Sequence, residues 1–235
     1  MYAGDKSRKE NKMAEKSAEN KRVFSCCDCT RYSCKAKKED AYPPFCLTKE
    51  IDKELLEETV NIYKTDEEVG KIAVTSASIE GEFYCRMTRV EETIEFIKRM
   101  GYKKIGVASC VGLMRETSMF CKLLKAEGLD YYAVGCKIGA VDKTEVGVPN
   151  EKKINGGCAH ESMCNPIMQA KVLAANGCDF NVLVGLCVGH DTLFIKFTEV
   201  PTTVLVAKDR VLQHNTVAAL YGVGSSYSRF KKLGL

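Results

Sequence analysis

From residue 104 onward, short apolar runs alternate with helical patterns, and this alternation constrains the fold more than any other feature. The runs are Lys104–Ser109 (KIGVAS), Tyr131–Gly135, Phe180–Leu186 (FNVLVGL) and Thr202–Ala207 (TTVLVA). Such short, near-continuous apolar segments read as strands buried on both faces, the mark of a parallel sheet covered by helices. The expected helices fall between them: Leu113–Glu127 stopped by Gly128, a segment from Asn165-Pro166 to about Asn176-Gly177, and Asp191–Phe197. Asn caps a helix, and Pro suits the first turn, where its missing N–H costs nothing. A last short helix is expected at Val217–Tyr221. The fold class is therefore α/β: a three-layer, doubly wound sheet of about four parallel strands, forming a Rossmann-like domain over residues 102–235.

Three further helical patterns precede it, over residues 48–101, and are expected to pack on this body. Thr48 is a candidate cap for a helix with Ile51, Leu55, Leu56 and Ile62 on one side. Thr65-Asp66-Glu67-Glu68 and Thr88-Arg89-Val90-Glu91 both have the capping-box pattern, and Gly101 is a C-terminal stop.

Thirteen cysteines stand against three histidines in 235 residues. A chain of this length buries a core without staples, an odd count cannot pair completely, and the polar N-terminus has no apolar signal region. These facts exclude a secreted disulfide scaffold and favour a reducing, cytoplasmic setting in which thiols bind metal, react or fill core space. No apolar run approaches the ~18 residues of a membrane span, so no membrane partner is expected. Residues 1–25 hold seven Lys/Arg against four Asp/Glu, which accounts for three of the four net positive charges. This leader, residues 1–24, reads as a disordered polar segment, and the tail after Gly222 as a flexible end. The body is near neutral and carries no basic stripe, so no nucleic-acid partner is expected. Neither a phosphate loop nor a dinucleotide fingerprint is present. The composition leaves the oligomeric state open.

Residues 25–47 form a separate Cys-dense, turn-rich segment. Cys26, Cys29, Cys34 and Cys46 are spaced C-x2-C-x4-C-x11-C. Two residues between the first pair let the chain curl so that both thiolates face one ion, and two more complete a tetrahedral set for zinc or the corners of a [4Fe–4S] cluster. Little else in this segment is apolar, so metal is the expected source of its folding energy.

A second cysteine set follows the strand order. Cys110, Cys136 and Cys187 come directly after the first three strand segments, and Cys164 precedes the Asn165-Pro166 helix start. Side chains at the carboxyl ends of neighbouring strands, ~4.8 Å apart, can share one ligand, and this edge is where open α/β sheets bind ligands. All three histidines, His160, His190 and His214, fall in the same loops, together with Asp191, Asp209 and Arg210. Two chemistries are open. In one, Cys110 and Cys187 are catalytic thiolates near helix starts, with His190 or His214 as general base. In the other, Cys110, Cys136, Cys164 and Cys187 ligate a second metal or cluster, and residues such as Asp191 and Asp209 line the cofactor side. The substrate expected for an enzyme of this kind is a small or sulfur-containing molecule, and the reaction is redox or sulfur transfer. The competing expectation is a non-enzymatic metal-handling or sensing protein whose N-terminal knuckle is structural or docks a partner. Cys85, Cys121 and Cys178 read as core or boundary filler, and Cys158 as a leftover that could join the edge.

The leader motif, CKIGAVDK (136–143), MCNPIMQA (163–170), GLCVGHD (185–191) and KDRVLQHN (208–215) together resemble an uncharacterised bacterial and archaeal family, domain of unknown function 1847. The resemblance spans about residues 25–222. Thr216 departs from it, where Pro is common. Proteins of that family are labelled metal-binding, so the resemblance implies a metal site on Cys26, Cys29, Cys34 and Cys46 and no established reaction.

Overall fold

The computed structural model describes residues 24–157 and 159–223. The expected leader (apart from Phe24), the expected tail (apart from Val223) and Cys158 lie outside the described residues. The chain divides into two compact units, the first ending at Gly70 and the second beginning at Lys71.

The first unit has little core. Three single 3₁₀ turns, Cys26–Asp28, Ser33–Ala36 and Glu39–Ala41, are followed by the one-turn helix α1 (Leu47–Glu50) and by α2 (Lys53–Thr65). Asp52, rather than Thr48, caps α2: its carboxylate accepts the Leu55 N–H at 2.9 Å. The chain is extended at Ile51, which separates α1 from α2. Tyr42 is the buried aromatic of this unit, and Phe24 stacks on Phe45 with centroids 5.1 Å apart.

Helix α3 (Glu67–Phe83) spans the boundary between the units. The capping oxygen belongs to Asp66, which accepts from Val69 N at 3.0 Å. In the second unit, Thr88 and Glu91 form the expected capping box of α4 (Arg89–Met100), and Gly101 ends that helix at φ 78°. The sheet follows: β1 (Lys104–Ser109), α5 (Met114–Ala126), β2 (Asp130–Gly135), α6 (Pro166–Ala175), β3 (Phe180–Val184), α7 (His190–Phe197), β4 (Thr202–Val206) and the short α8 (Val217–Tyr221). All strand pairings are parallel, and the order is β2-β1-β3-β4.

That order determines where a ligand can sit. From β1 the chain crosses to β2 on one side, then returns past β1 to β3 and continues outward to β4. Right-handed crossovers place α5 on one face of the sheet and α6 and α7 on the other, and α6 and α7 do pack together. Strand order reverses between β1 and β3, where diverging loops open a crevice at the carboxyl ends. The central strands are fully enclosed: Ile105, Val107, Val182, Leu183 and Val184 form the core with Leu124, Leu173 and Phe194.

Candidate thiol centre

Beyond Ser109 the chain turns at Cys110, whose N–H is tied to Val184 O at 3.1 Å. Beyond β3, Gly185 adopts φ 64°, and a Cβ there would meet Leu113 Cδ1 at 2.6 Å. Only glycine suits that position. The turn ends β3 two residues earlier than its apolar run, and it directs Leu186 and Cys187 toward the crevice. Gln169, 0% exposed on α6, fastens the neighbouring strand ends: its Nε2 donates to Ser109 O at 3.1 Å and to Val134 O at 2.7 Å.

Cys136 and Cys164 are held by the two ends of one long loop. Asn165 N donates to Cys136 O at 2.8 Å and Met163 N to Val141 O at 2.8 Å. Asp142 and Ser162 form an antiparallel bridge. The loop is pinned by Asp142, whose carboxylate accepts from Thr144 N at 2.9 Å, Glu161 N at 2.8 Å and the buried Lys153 ammonium at 2.8 Å. Glu161 in turn pairs with Lys143. These contacts place Cys136 and Cys164 side by side.

The result is a row of sulfurs at the strand ends. Cys136, 1% exposed, accepts the Val111 N–H on its sulfur at 3.4 Å. Cys110, 7% exposed, receives the Lys208 ammonium at 3.3 Å. His190 opens α7 with its N–H on Cys187 O at 2.8 Å, and its ring Nδ1 is buried without a hydrogen-bond partner. Arg210 Nη2 reaches the Cys187 sulfur at 2.9 Å. Cationic groups thus stand beside Cys110 and Cys187.

The thiols of this edge are pushed in opposite directions. Two neighbouring sulfurs and burial push the Cys136 thiol far above its usual range, against a backbone N–H from Val111 that donates to it at 3.4 Å. The hydrogen bond from Cys136, the Gly112 N–H and Lys208 lower Cys110 to about 5, against the cost of burial. Cys164 falls to about 3 through Cys136 and His190, while Cys164 and then Cys187 raise His190 to about 9 against burial. Both shifts favour the charged forms, thiolate at Cys164 and imidazolium at His190.

The remaining expected site residues take other positions. Asp209 and His214 close the loop after β4: Asp209 N donates to His214 Nδ1 at 3.1 Å, and the Asp209 carboxylate accepts from Val211 N and Leu212 N. They build the turn that presents Lys208 and Arg210. Asp191 accepts from Thr192 N in the first turn of α7. His160 is surface-exposed beside Asp142. Lys208, Asp142, Lys153, Gln169 and Lys137, whose ammonium donates to Ser162 O at 2.5 Å, carry the arrangement without having been singled out in the sequence. Gln169 leaves a signal there, as one of two polar residues, with Lys171, in the apolar helix pattern of 166–175.

Among the described residues no three His, Cys, Asp or Glu side chains gather around a common point suited to one metal ion. This holds for Cys26, Cys29, Cys34 and Cys46 as it does for the edge thiols. In the first unit the backbone does form the expected C-x-x-C turn, with Cys29 N donating to Cys26 O at 3.2 Å. Soft thiolates are the donor type that zinc or an iron–sulfur cluster takes.

A cavity of about 350 Å³ is lined by Val111, Gly135, Lys137 and Ile138, which flank Cys110 and Cys136 in the chain. A larger cavity, about 490 Å³, lies among α3, α4 and β4. None of the row residues lines it, so the chemistry and not the volume locates the site. No helix among the described residues is long and apolar enough to cross a membrane.

Comparison with known proteins agrees with the resemblance drawn from the motifs. A family model described as "Protein of unknown function (DUF1847)" matches residues 46–205. The match takes in Cys110, Cys136, Cys164, Cys187 and His190 and leaves out Cys26, Cys29 and Cys34. An uncharacterised protein of Methanocaldococcus jannaschii is 47% identical over 177 residues, covering 75% of this chain and 89% of that protein. The chain belongs to the DUF1847 family.

Proposed function

We propose that this protein performs thiol chemistry, redox or sulfur transfer, on a small sulfur-containing substrate at the carboxyl edge of its sheet. The observation that carries this reading is a cation set on each of two strand-end sulfurs, Lys208 Nζ at 3.3 Å from Cys110 and Arg210 Nη2 at 2.9 Å from Cys187. A thiolate is the attacking species in sulfur exchange, and a neighbouring cation favours it. Cys110, Cys164 and Cys187 supply sulfur nucleophiles, and His190 protonates the leaving group. A row of sulfurs suits transfer from one to the next.

The first unit has a separate role in this reading: Cys26, Cys29, Cys34 and Cys46 hold zinc or a [4Fe–4S] cluster that orders a segment with almost no core. The competing reading, a cytoplasmic metal-handling or sensing protein, draws on the exposure of Cys26 and Cys34 in that unit.

Peptide-resolved alkylation with iodoacetamide tests the thiol reading. Cys164 should react at a rate that is flat between about pH 5 and pH 8, whereas a free thiol such as N-acetylcysteine added as the reference rises about tenfold per pH unit, because only a thiol still titrating gains thiolate. A Cys164 profile that climbs in parallel with the reference thiol would remove the reading.

A further inference from the structure

We propose that the cavity among α3, α4 and β4 binds an α-amino acid with an apolar side chain. Arg89 takes its carboxylate, Glu80 and Glu92 take its ammonium, and Ile72, Ile79 and Phe96 receive its side chain. The site is separate from the thiol edge, and none of the described cysteines lines it.

Helical spacing builds two of its walls. Ile72, Ser76 and Ile79 fall at i, i+4 and i+7 along α3, and Arg89, Glu92 and Phe96 at i, i+3 and i+7 along α4. Residues so spaced share one face of a helix. Long side chains tie the two helices together: Lys71 Nζ donates to Met100 O at 2.7 Å, and Arg99 grips Glu82 through Nη1 and Nη2 at 2.9 and 2.7 Å. The third wall comes from Thr202 and Thr203 on β4, the last strand on that side of the sheet. The volume, about 490 Å³, lies within the range of small-molecule sites, roughly 300–1,000 Å³.

Charge selects the ligand. Arg89 is anchored to β4, with Nε donating to Val204 O at 3.0 Å and Nη2 to Thr203 Oγ1 at 3.2 Å. These contacts fix the plane of the guanidinium and leave the N–H groups of Nη1 for an anion. Glu80 and Glu92 line the same cavity, and neither carboxylate has an ion pair or hydrogen bond among the described residues. A plain anion would meet both carboxylates, and a plain amine would leave the guanidinium without an anion. A molecule that carries an ammonium and a carboxylate satisfies both. Ile79, 4% exposed, and Phe96 add apolar surface. A side chain that covers it gains about 25 cal/mol per Å², so leucine or phenylalanine is favoured over glycine.

The test is calorimetric titration of full-length protein with L-leucine and L-phenylalanine, beside N-acetyl-L-phenylalanine, L-phenylalaninamide and glycine. At least one of the first two should bind one-to-one with a Kd below about 1 mM, and the other three at least about tenfold more weakly. Arg89→Met should weaken binding about tenfold or more. Because Arg89 also holds β4, two further variants keep the test independent of folding. Glu80→Gln with Glu92→Gln removes only uncommitted carboxylates and should weaken binding by a similar factor. Ser76→Phe fills the cavity from an exposed position and should abolish binding. No saturable binding of either amino acid up to about 10 mM overturns the proposal. Phenylalaninamide or N-acetylphenylalanine binding as tightly as phenylalanine overturns the zwitterion. Wild-type affinity in both the double glutamine variant and Ser76→Phe overturns the location.

Discussion

The chain carries two sets of four cysteines, and they are built in opposite ways. Cys26 and Cys34 lie in 3₁₀ turns, Cys29 ends the first of these and Cys46 precedes α1, all exposed or half-exposed in a unit with almost no core. Cys110, Cys136, Cys164 and Cys187 hang from strand ends and loop bases whose geometry the sheet core imposes. A thiol held by covered backbone can be matched to a neighbouring cation, carboxylate-pinned loop or second thiol. A thiol on a bare turn has only its fellow thiols and an ion to order it. The same residue type thus reads as a metal ligand in one unit and as a reactive group in the other.

Removing metal should separate the two units most sharply. If the knuckle holds zinc, apparent binding energies near 10 kcal/mol or more are tied to its folding, so chelation should abolish protection of residues 25–47 in hydrogen exchange. Exchange in β1 and β3 should not change. Slowed exchange lost equally from both would break the contrast.

Gln169→Leu comes next. It leaves Ser109 O and Val134 O without their buried donor, at about 1–3 kcal/mol for each acceptor. Thermal unfolding should move down accordingly, and the Cys110–Cys136 contact should loosen with it. A midpoint unchanged from wild type would remove Gln169 from the support of the row.

Acid acts through Asp142. Lys153 and the backbone N–H groups hold its carboxyl well below the usual carboxylate range. A depressed folded value contributes stability that is complete above the unfolded value, about 3.9, and is lost as pH falls below it. Thermal midpoints should therefore fall below about pH 4 in the wild type and fall less steeply in Asp142→Asn, which has already lost the pairing. Identical slopes would contradict the pinning role.

Lys208→Met is the smallest change. The ammonium supports the Cys110 thiolate after Cys136 and the Gly112 N–H, so the Cys110 alkylation midpoint should rise modestly from about 5. Loss of the whole depression would make Lys208, and not the sulfur contact, the dominant cause.

The sheet was legible because apolar runs of strand length, separated by helix patterns, have few alternatives. The cysteine edge was legible for a related reason: Cys110, Cys136 and Cys187 each follow a strand, and parallel strands place their ends together. Which histidine joins was not legible. His190 opens α7 beside Cys187, while His214 folds back on Asp209 and His160 faces solvent, and loop backbone decides this without a periodic signature. The proton state of the row was equally hidden, since it depends on which sulfurs touch. Caps slipped locally: Asp52 displaced Thr48 because Ile51 is extended and the helix begins two residues later.

The claim that the sulfur of Cys136 lowers Cys110 meets its most direct test at Cys110. Peptide-resolved alkylation across pH gives its titration midpoint in the wild type and in Cys136→Ala. The row predicts a midpoint near 5 that climbs toward the ordinary thiol value, about 8.5, once Cys136 is removed. A midpoint that stays near 5 without Cys136, or one already near 8.5 with it, would contradict the account.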